Sequence, residues 1–112
     1  MIIRDRVTLG ELKRMAAQGF GDLVKAVVDV DREVIAVDAE LHADLEAALL
    51  EDGSQQHHLW GINLYPDAAA DEWIEFDSLI NIRPSRGNKS RGVGDESTRL
   101  RITAIVTQKV AR

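Results

Sequence analysis

The sequence contains no cysteine, only five aromatic residues in 112, and no apolar run long enough to cross a membrane as a helix. Without cysteine, disulfides, thiolate metal sites and cysteine catalysis are excluded. The N-terminus is charged and has no apolar segment of the length that a signal peptide needs. We therefore expect a cytoplasmic protein with no membrane association, and the length predicts one domain spanning residues 1–112.

Charge is distributed unevenly along the chain. Residues 1–82 carry six Lys or Arg against seventeen Asp or Glu, whereas residues 83–112 carry eight against two. This asymmetry indicates either an anionic ligand or pairing of the basic third of one subunit with the acidic body of another. The net charge of -5 argues against a dedicated nucleic-acid binder, for which a basic domain is expected.

Two patterns define the N-terminal part of the chain. Thr8 and Glu11 have the spacing of a capping box, which predicts that a helix begins there and ends near residue 18. Two runs rich in β-branched residues, 24–30 and 33–39, lie on either side of a short turn and predict a β-hairpin.

The middle of the chain predicts a second helix and a third strand. Asp38 is a suitable N-cap, and Gly53 follows the end of the helical pattern. The apolar stripe of this helix consists of Leu41, Leu45, Ala48 and Leu49. In the next strand Trp60, Ile62 and Leu64 alternate with smaller or polar residues, and Pro66 ends it.

The C-terminal part predicts a fourth strand and one further element. Ile74, Phe76, Ile80 and Ile82 alternate with polar residues, which is typical of a strand that Pro84 terminates. The segment 97–110 fits a helix capped by Asp95 or Ser97, although alternating apolar residues also fit a strand; its length and caps favour the helix. Ile2 and Ile3 fit a short edge strand.

These elements predict an α+β fold of two layers. A four-stranded, mostly antiparallel sheet built from two hairpins is expected to carry about three helices on one face.

Three segments resemble a known family. They are ELHADLEAALLEDGS at 40–54, LWGINLYP at 59–66 and IEFDSLINIRPSRGNKSR at 74–91. Together they are similar to a family of small prokaryotic proteins catalogued as a domain of unknown function. The resemblance implies a small bacterial or archaeal intracellular protein, and it assigns no activity, catalytic residue or cofactor.

The main candidate site is the basic segment that follows the fourth strand. Its glycines allow backbone N–H groups to approach a phosphate, and its arginines offer bidentate hydrogen bonds. The spacing matches neither the Walker A pattern nor the dinucleotide-binding fingerprint. The anion ligands predicted here are Arg83, Arg86, Asn88, Lys89, Ser90 and Arg91.

Three weaker constellations stand beside it. The residues Asp38, His42 and Glu46 recur every four positions and could offer a metal site together with His57 and His58, although an exposed helical face with local ion pairs explains them better. The aromatic residues Trp60, Tyr65 and Trp73 could stack on bases, but tryptophan in a chain this poor in aromatics is normally core. A base among the histidines could act beside Asp77 and Ser78.

The sequence thus leaves three functions open. The leading hypothesis is a module that binds a phosphate-bearing small molecule or nucleic acid at residues 83–94. The second is a homodimer or protein-interaction module that pairs its acidic body with its basic C-terminal third. The third is a small metal-dependent hydrolase or ribonuclease-like enzyme.

Overall fold

The structure is a computed structural model that describes all residues from Met1 to Arg112. Its elements in chain order are β1 (Ile2–Ile3), β2 (Val7–Thr8), α1 (Leu9–Gln18), β3 (Val24–Asp29), β4 (Val34–Val37), α2 (His42–Glu51), β5 (Leu59–Leu64), β6 (Ile74–Glu75), α3 (Glu96–Lys109) and β7 (Val110–Ala111). Five strands form an antiparallel sheet in the order β1-β4-β3-β5-β6, while β2 and β7 pair in parallel and join the two ends of the chain.

The α+β class with an antiparallel sheet is therefore confirmed, and β1 adds a fifth strand at the edge expected for Ile2 and Ile3. None of the helices combines the length and the apolar character needed to span a bilayer.

The β3–β4 hairpin is confirmed, and a buried carboxylate closes its turn. Asp29 Oδ1 accepts hydrogen bonds from the backbone N–H groups of Asp31 and Arg32, each at 2.9 Å, and Oδ2 accepts from the hydroxyl of Ser54 at 2.6 Å. A side chain that accepts from the backbone two and three residues further on stabilises a tight turn. This explains how a connection without the favoured turn dipeptides forms a hairpin.

The helices lie on both faces of the sheet rather than on the single face expected. One hydrophobic cluster joins α1 and α3 to residues such as Ala26 and Ile62, and a second joins α2 to Val27 and Leu59. Every residue of β4 is buried, so this strand needs cover on both sides. The continuous apolar run of β4 therefore accounts for the third layer.

The predicted ends of two helices are confirmed. The hydroxyl of Thr8 accepts from the backbone N–H of Glu11 at 3.1 Å, and α1 ends at Gln18. The carboxylate of Asp95 accepts from the backbone N–H of Thr98 at 2.9 Å, so the segment favoured as a helix is α3.

Helix α2 begins later than predicted. Asp38 is not its N-cap but lies in the left-handed region with φ of 73°, and the helix starts at His42. His42 takes the buried position expected for Leu41, which is exposed. The ring Nε2 of His42 donates to the carbonyl of Ile62 at 2.8 Å, so a polar contact with the sheet sets this end of the helix.

The fourth strand is shorter than predicted, because β6 ends at Glu75. Beyond it the chain forms two 3-10 turns, Leu79–Asn81 and Pro84–Arg86, beside β5. The amide of Asn81 accepts from the N–H of Gly61 at 2.8 Å and donates to its carbonyl at 2.9 Å. Side chains thus make the bonds that a neighbouring strand would otherwise supply, which is why the ladder stops early.

Candidate functional site

The basic segment after these turns is folded around Asn88. The buried amide nitrogen of Asn88 donates to the carbonyls of Asn81 at 2.6 Å and Gly92 at 2.8 Å, and more weakly to that of Ser90 at 3.1 Å. Its oxygen accepts from the N–H of Gly94 at 2.9 Å. All the polar atoms of this side chain are therefore engaged within the chain, and Asn88 organises the segment rather than offering free donors.

Arg83 closes the open edge of β5. Its Nη2 donates to the carbonyl of Leu59 at 2.6 Å, and the same nitrogen lies 3.6 Å from a carboxylate oxygen of Glu46. The guanidinium also lies over the ring of Trp60, 5.0 Å from its centroid. These contacts leave the side chain only 12% exposed and fix its position firmly.

The hydrogen bonds of Arg83 are nevertheless incomplete, since its buried Nη1 has no acceptor. Burial lowers the pKa of this guanidinium; the charge of Glu46 opposes that shift, and the charge of Arg86 adds to it. A guanidinium has five N–H donors and stays protonated at neutral pH. The free-energy cost of burying Nη1 is therefore not relieved by the loss of a proton, and only a hydrogen-bond acceptor would reduce it.

The remaining predicted ligands have different surroundings. Arg91 Nε donates to Asp77 at 2.6 Å, so a carboxylate of its own chain already pairs with it. The hydroxyl of Ser90 accepts from the N–H of Gly92 at 3.2 Å. Arg86 and Lys89 are exposed, and neither forms an ion pair.

Two clefts meet at one end of β5, and three side chains line both of them: His57, Arg83 and Arg86. The first cleft, of about 460 Å³, is completed by Glu46, Gln56, Ile80, Ile82, Pro84 and Ser85. The second, of about 400 Å³, is completed by Trp60, Gly87, Asn88, Gly94, Asp95 and Thr98. We call the two clefts together the arginine groove. Lys89, Ser90 and Arg91 line neither of them.

Several groove residues were not predicted to lie beside the arginines. Glu46 comes from α2, His57 from the 3-10 turn Gln56–His58 before β5, and Thr98 from the first turn of α3. They meet because the chain at Arg83 lies beside the start of β5, where Arg83 donates to the carbonyl of Leu59. No spacing in the sequence links elements that are so far apart along the chain.

The imidazole of His57 is favoured in its neutral form. Desolvation is the largest effect that lowers its pKa, followed by the nearby charges of His58, Arg86 and Arg83. A neutral ring beside two guanidinium groups offers one donor and one acceptor without adding a third positive charge.

The predicted metal constellation is not assembled. Asp38 lies outside α2, His42 bonds to the carbonyl of Ile62, and Glu46 pairs with Arg83. No group of three His, Cys, Asp or Glu side chains in the chain is arranged to hold a metal ion. The structure thus supplies no protein-derived metal cluster for the hydrolase hypothesis.

The aromatic residues do not form a shared platform. Trp73 is buried in the core, the hydroxyl of Tyr65 donates to Glu75 at 3.1 Å, and Trp60 lies beneath Arg83. Ser78 is also buried, with its hydroxyl accepting from the N–H of Ile80 at 3.3 Å. Of the predicted aromatic and nucleophilic groups, only Trp60 reaches the groove.

The charge asymmetry of the sequence is partly neutralised within the fold. Three cations of the basic third, Arg83, Arg91 and Arg101, lie within ion-pair distance of Glu46, Asp77 and Glu33 of the acidic body. Two further cations of this third donate hydrogen bonds to backbone carbonyls: Lys109 to that of Arg4 at 2.7 Å, and Arg99 to that of Val93 at 2.6 Å. The basic residues of this third thus hold its turns and α3 against the rest of the chain.

The chain folds as a small α+β protein with an arginine-lined surface groove. Residues 1–109 match the family described as protein of unknown function (DUF5674), and the chain belongs to that family. No curated protein and no solved structure matches the chain. The resemblance seen in the central sequence segments is therefore confirmed, and it extends over almost the whole chain.

Proposed function

We propose that the protein binds a phosphate-bearing ligand in the arginine groove. One observation carries this proposal: two arginines line the same groove, and one of them, Arg86, is exposed and forms no ion pair. Of the six anion ligands predicted from the sequence, the proposal retains these two as the ligand-contacting pair.

The electrostatics of the pair favour an anion. Arg86 contributes to the lowered pKa of Arg83, so the two positive charges destabilise one another. A phosphate that accepts from both guanidinium groups would offset this repulsion. Hydrogen bonds between ionised partners are roughly twice as strong as neutral ones, and arginine can make two such bonds to one phosphate.

The two arginines are suited to different tasks. Arg83 is held by Leu59, Glu46 and Trp60, so it has little conformational entropy to lose on binding. Arg86 is free to adjust to the ligand, at a cost of about 0.5–1.5 kcal/mol for immobilising a long side chain. A fixed and an adjustable guanidinium together form a clamp on one anionic group.

An amide-resolved NMR titration with inorganic phosphate and with AMP tests the proposal. We expect saturable shifts at residues 83–87, at His57 and at the start of α3, which weaken as the ionic strength rises. Shifts confined to Lys89, Ser90 and Arg91, or shifts that do not saturate, would contradict the assignment of the groove.

A second candidate function is self-association at the same edge of the molecule. Leu79 is 66% exposed and Ile82 is 40% exposed, and Ile82 lines the first cleft. Exposed apolar side chains of this size beside a groove favour a protein partner, which includes a second copy. Sedimentation at low and high salt distinguishes the mechanisms: a dimer held by charge dissociates as salt rises, whereas an apolar one persists.

A further inference from the structure

The arginine groove consists of two clefts, and the binding of one phosphate does not explain why there are two. His57, Arg83 and Arg86 belong to both clefts, so the cationic groups lie where the clefts meet. Each cleft then extends away from this centre with its own carboxylate, Glu46 in the first and Asp95 in the second. A ligand that used only one cleft would leave the other one empty.

We propose that the groove binds an internal phosphodiester, with the phosphate at the three shared side chains and one nucleoside in each cleft. This inference rests on the proposed function, since it requires that the arginines bind phosphate at all. The ligand class is a dinucleotide or a single nucleic-acid strand, because both present a phosphate flanked by two nucleosides.

The two carboxylates argue against a polyphosphate chain. A second phosphate in either cleft would face a negative charge, and like charges in close contact are destabilising. Hydrogen bonds from the hydroxyl and the backbone N–H of Thr98 keep the pKa of Asp95 below its ordinary value, so this carboxylate stays ionised at neutral pH. Sugar hydroxyls and exocyclic amino groups can instead donate to such carboxylates.

The lining of each cleft suits a nucleoside. The first combines the apolar side chains of Ile80 and Ile82 with polar groups on Gln56 and Ser85. The second contains Trp60, over whose ring the Arg83 guanidinium lies, together with the hydroxyl of Thr98. Apolar side chains or an arginine plane contact the face of a base, and nearby polar groups bond to its edge or its sugar.

The decisive experiment compares four ligands on the same labelled protein: inorganic phosphate, adenosine, AMP and the dinucleoside monophosphate ApA. We expect ApA to bind about tenfold more tightly than AMP, since one further set of neutral contacts forms in the second cleft. ApA should also shift amides on both sides at once, at Gln56 and Ser85 in one cleft and at Gly94 and Thr98 in the other.

Two variants locate the binding energy. Gln56→Ala, which changes an exposed side chain of the first cleft only, should weaken ApA about threefold and leave inorganic phosphate unchanged. Lys89→Ala is the matched control, because Lys89 is exposed on the same segment and lines neither cleft. It should leave the preference for ApA over AMP unaltered.

The outcomes separate the two proposals. If phosphate and AMP bind but ApA is no tighter and shifts only one cleft, the phosphodiester inference is overturned while the phosphate site survives. If none of the phosphate ligands binds, both proposals fail. A hexaadenylate that binds more tightly than ApA supports a nucleic-acid strand as the natural ligand, and equal affinity supports a dinucleotide.

Discussion

Replacement of Asn81 by alanine should unfold the edge of the sheet on which the arginine groove is built. Asn81 is fully buried, and its amide bonds to Gly61 N–H at 2.8 Å, Gly61 carbonyl at 2.9 Å and Arg91 carbonyl at 2.9 Å. The alanine variant leaves the N–H and the carbonyl of Gly61 buried without partners, whereas the carbonyl of Arg91 still accepts from the N–H of Ser78 at 2.9 Å. At about 1–3 kcal/mol for each of the two groups, we expect a loss of about 2–6 kcal/mol.

This loss is large for a domain of this size, whose free energy of unfolding is about 5–15 kcal/mol. Urea unfolding followed by tryptophan fluorescence measures it as a shift in midpoint, with a slope of roughly 1–3 kcal/mol/M. Gln55→Ala is the control, since Gln55 is exposed and its side chain makes no hydrogen bond. The control should lie within about 0.5 kcal/mol of the parent.

Asn81→Asp refines the test. The aspartate side chain has the shape of asparagine and can still accept from the N–H of Gly61. Its second oxygen, however, faces the carbonyls of Gly61 and Arg91, and the carboxylate is a buried negative charge. We expect this variant to be strongly destabilised at neutral pH and partly rescued in acid, where the protonated group can donate. A loss below about 1 kcal/mol for the alanine variant would refute the role given to this side chain.

Two further predictions concern the same sheet. A Cβ added at Gly61 would lie 2.5 Å from Cβ of Ser78. Gly61→Ala should therefore lower the free energy of unfolding in urea by about 1–3 kcal/mol. Ser78→Gly in the same chain should recover part of this loss, and additive effects of the two substitutions would contradict the clash. Burial lowers the pKa of His42 below its ordinary value of about 6.5, so the unfolded state takes up a proton first and stability should fall as the pH drops below that value. His42→Gln, whose amide can replace the ring N–H, should flatten this part of the stability profile; an unchanged slope would show that His42 does not titrate between the two states.

The sequence patterns predicted those elements whose determinants are local. The capping box at Thr8, the β-branched runs of the hairpin and the cap at Asp95 each act over a few residues, and each lies where expected. The apolar alternation of β5 was likewise correctly interpreted, since Ile62 and Leu64 are buried on one face. Propensity, capping and period are properties of short segments, so a single sequence contains enough information to predict them.

The structure departs from the sequence pattern where a buried polar side chain makes contacts that periodicity does not show. His42 occupies the buried position assigned to Leu41, and Asn81 supplies bonds that a longer β6 would have made. Asn88, predicted as a free ligand, is the internal anchor of its segment. Such residues have no periodic signature, because their contribution depends on a partner that is distant in sequence and visible only in the fold.

The candidate site could be predicted only in part for the same reason. The basic composition around Pro84 predicted an anion site in a segment that borders the arginine groove, and Arg83 and Arg86 line that groove. Composition could not show that Arg91 pairs with Asp77, or that His57 joins the arginines. The difference lies in long-range contacts, which decide which cations are already neutralised and which are left free.

The most direct test of the central claim is a calorimetric titration of AMP into the parent protein, Arg86→Ala and Lys89→Ala at moderate salt. Both substitutions remove one exposed, unpaired cation from the same segment, but only Arg86 lines the groove. We expect at least about a tenfold loss of affinity for Arg86→Ala and at most about a twofold loss for Lys89→Ala. Equal losses in the two variants would show that the affinity depends on diffuse surface charge, and they would contradict a specific phosphate site in the groove.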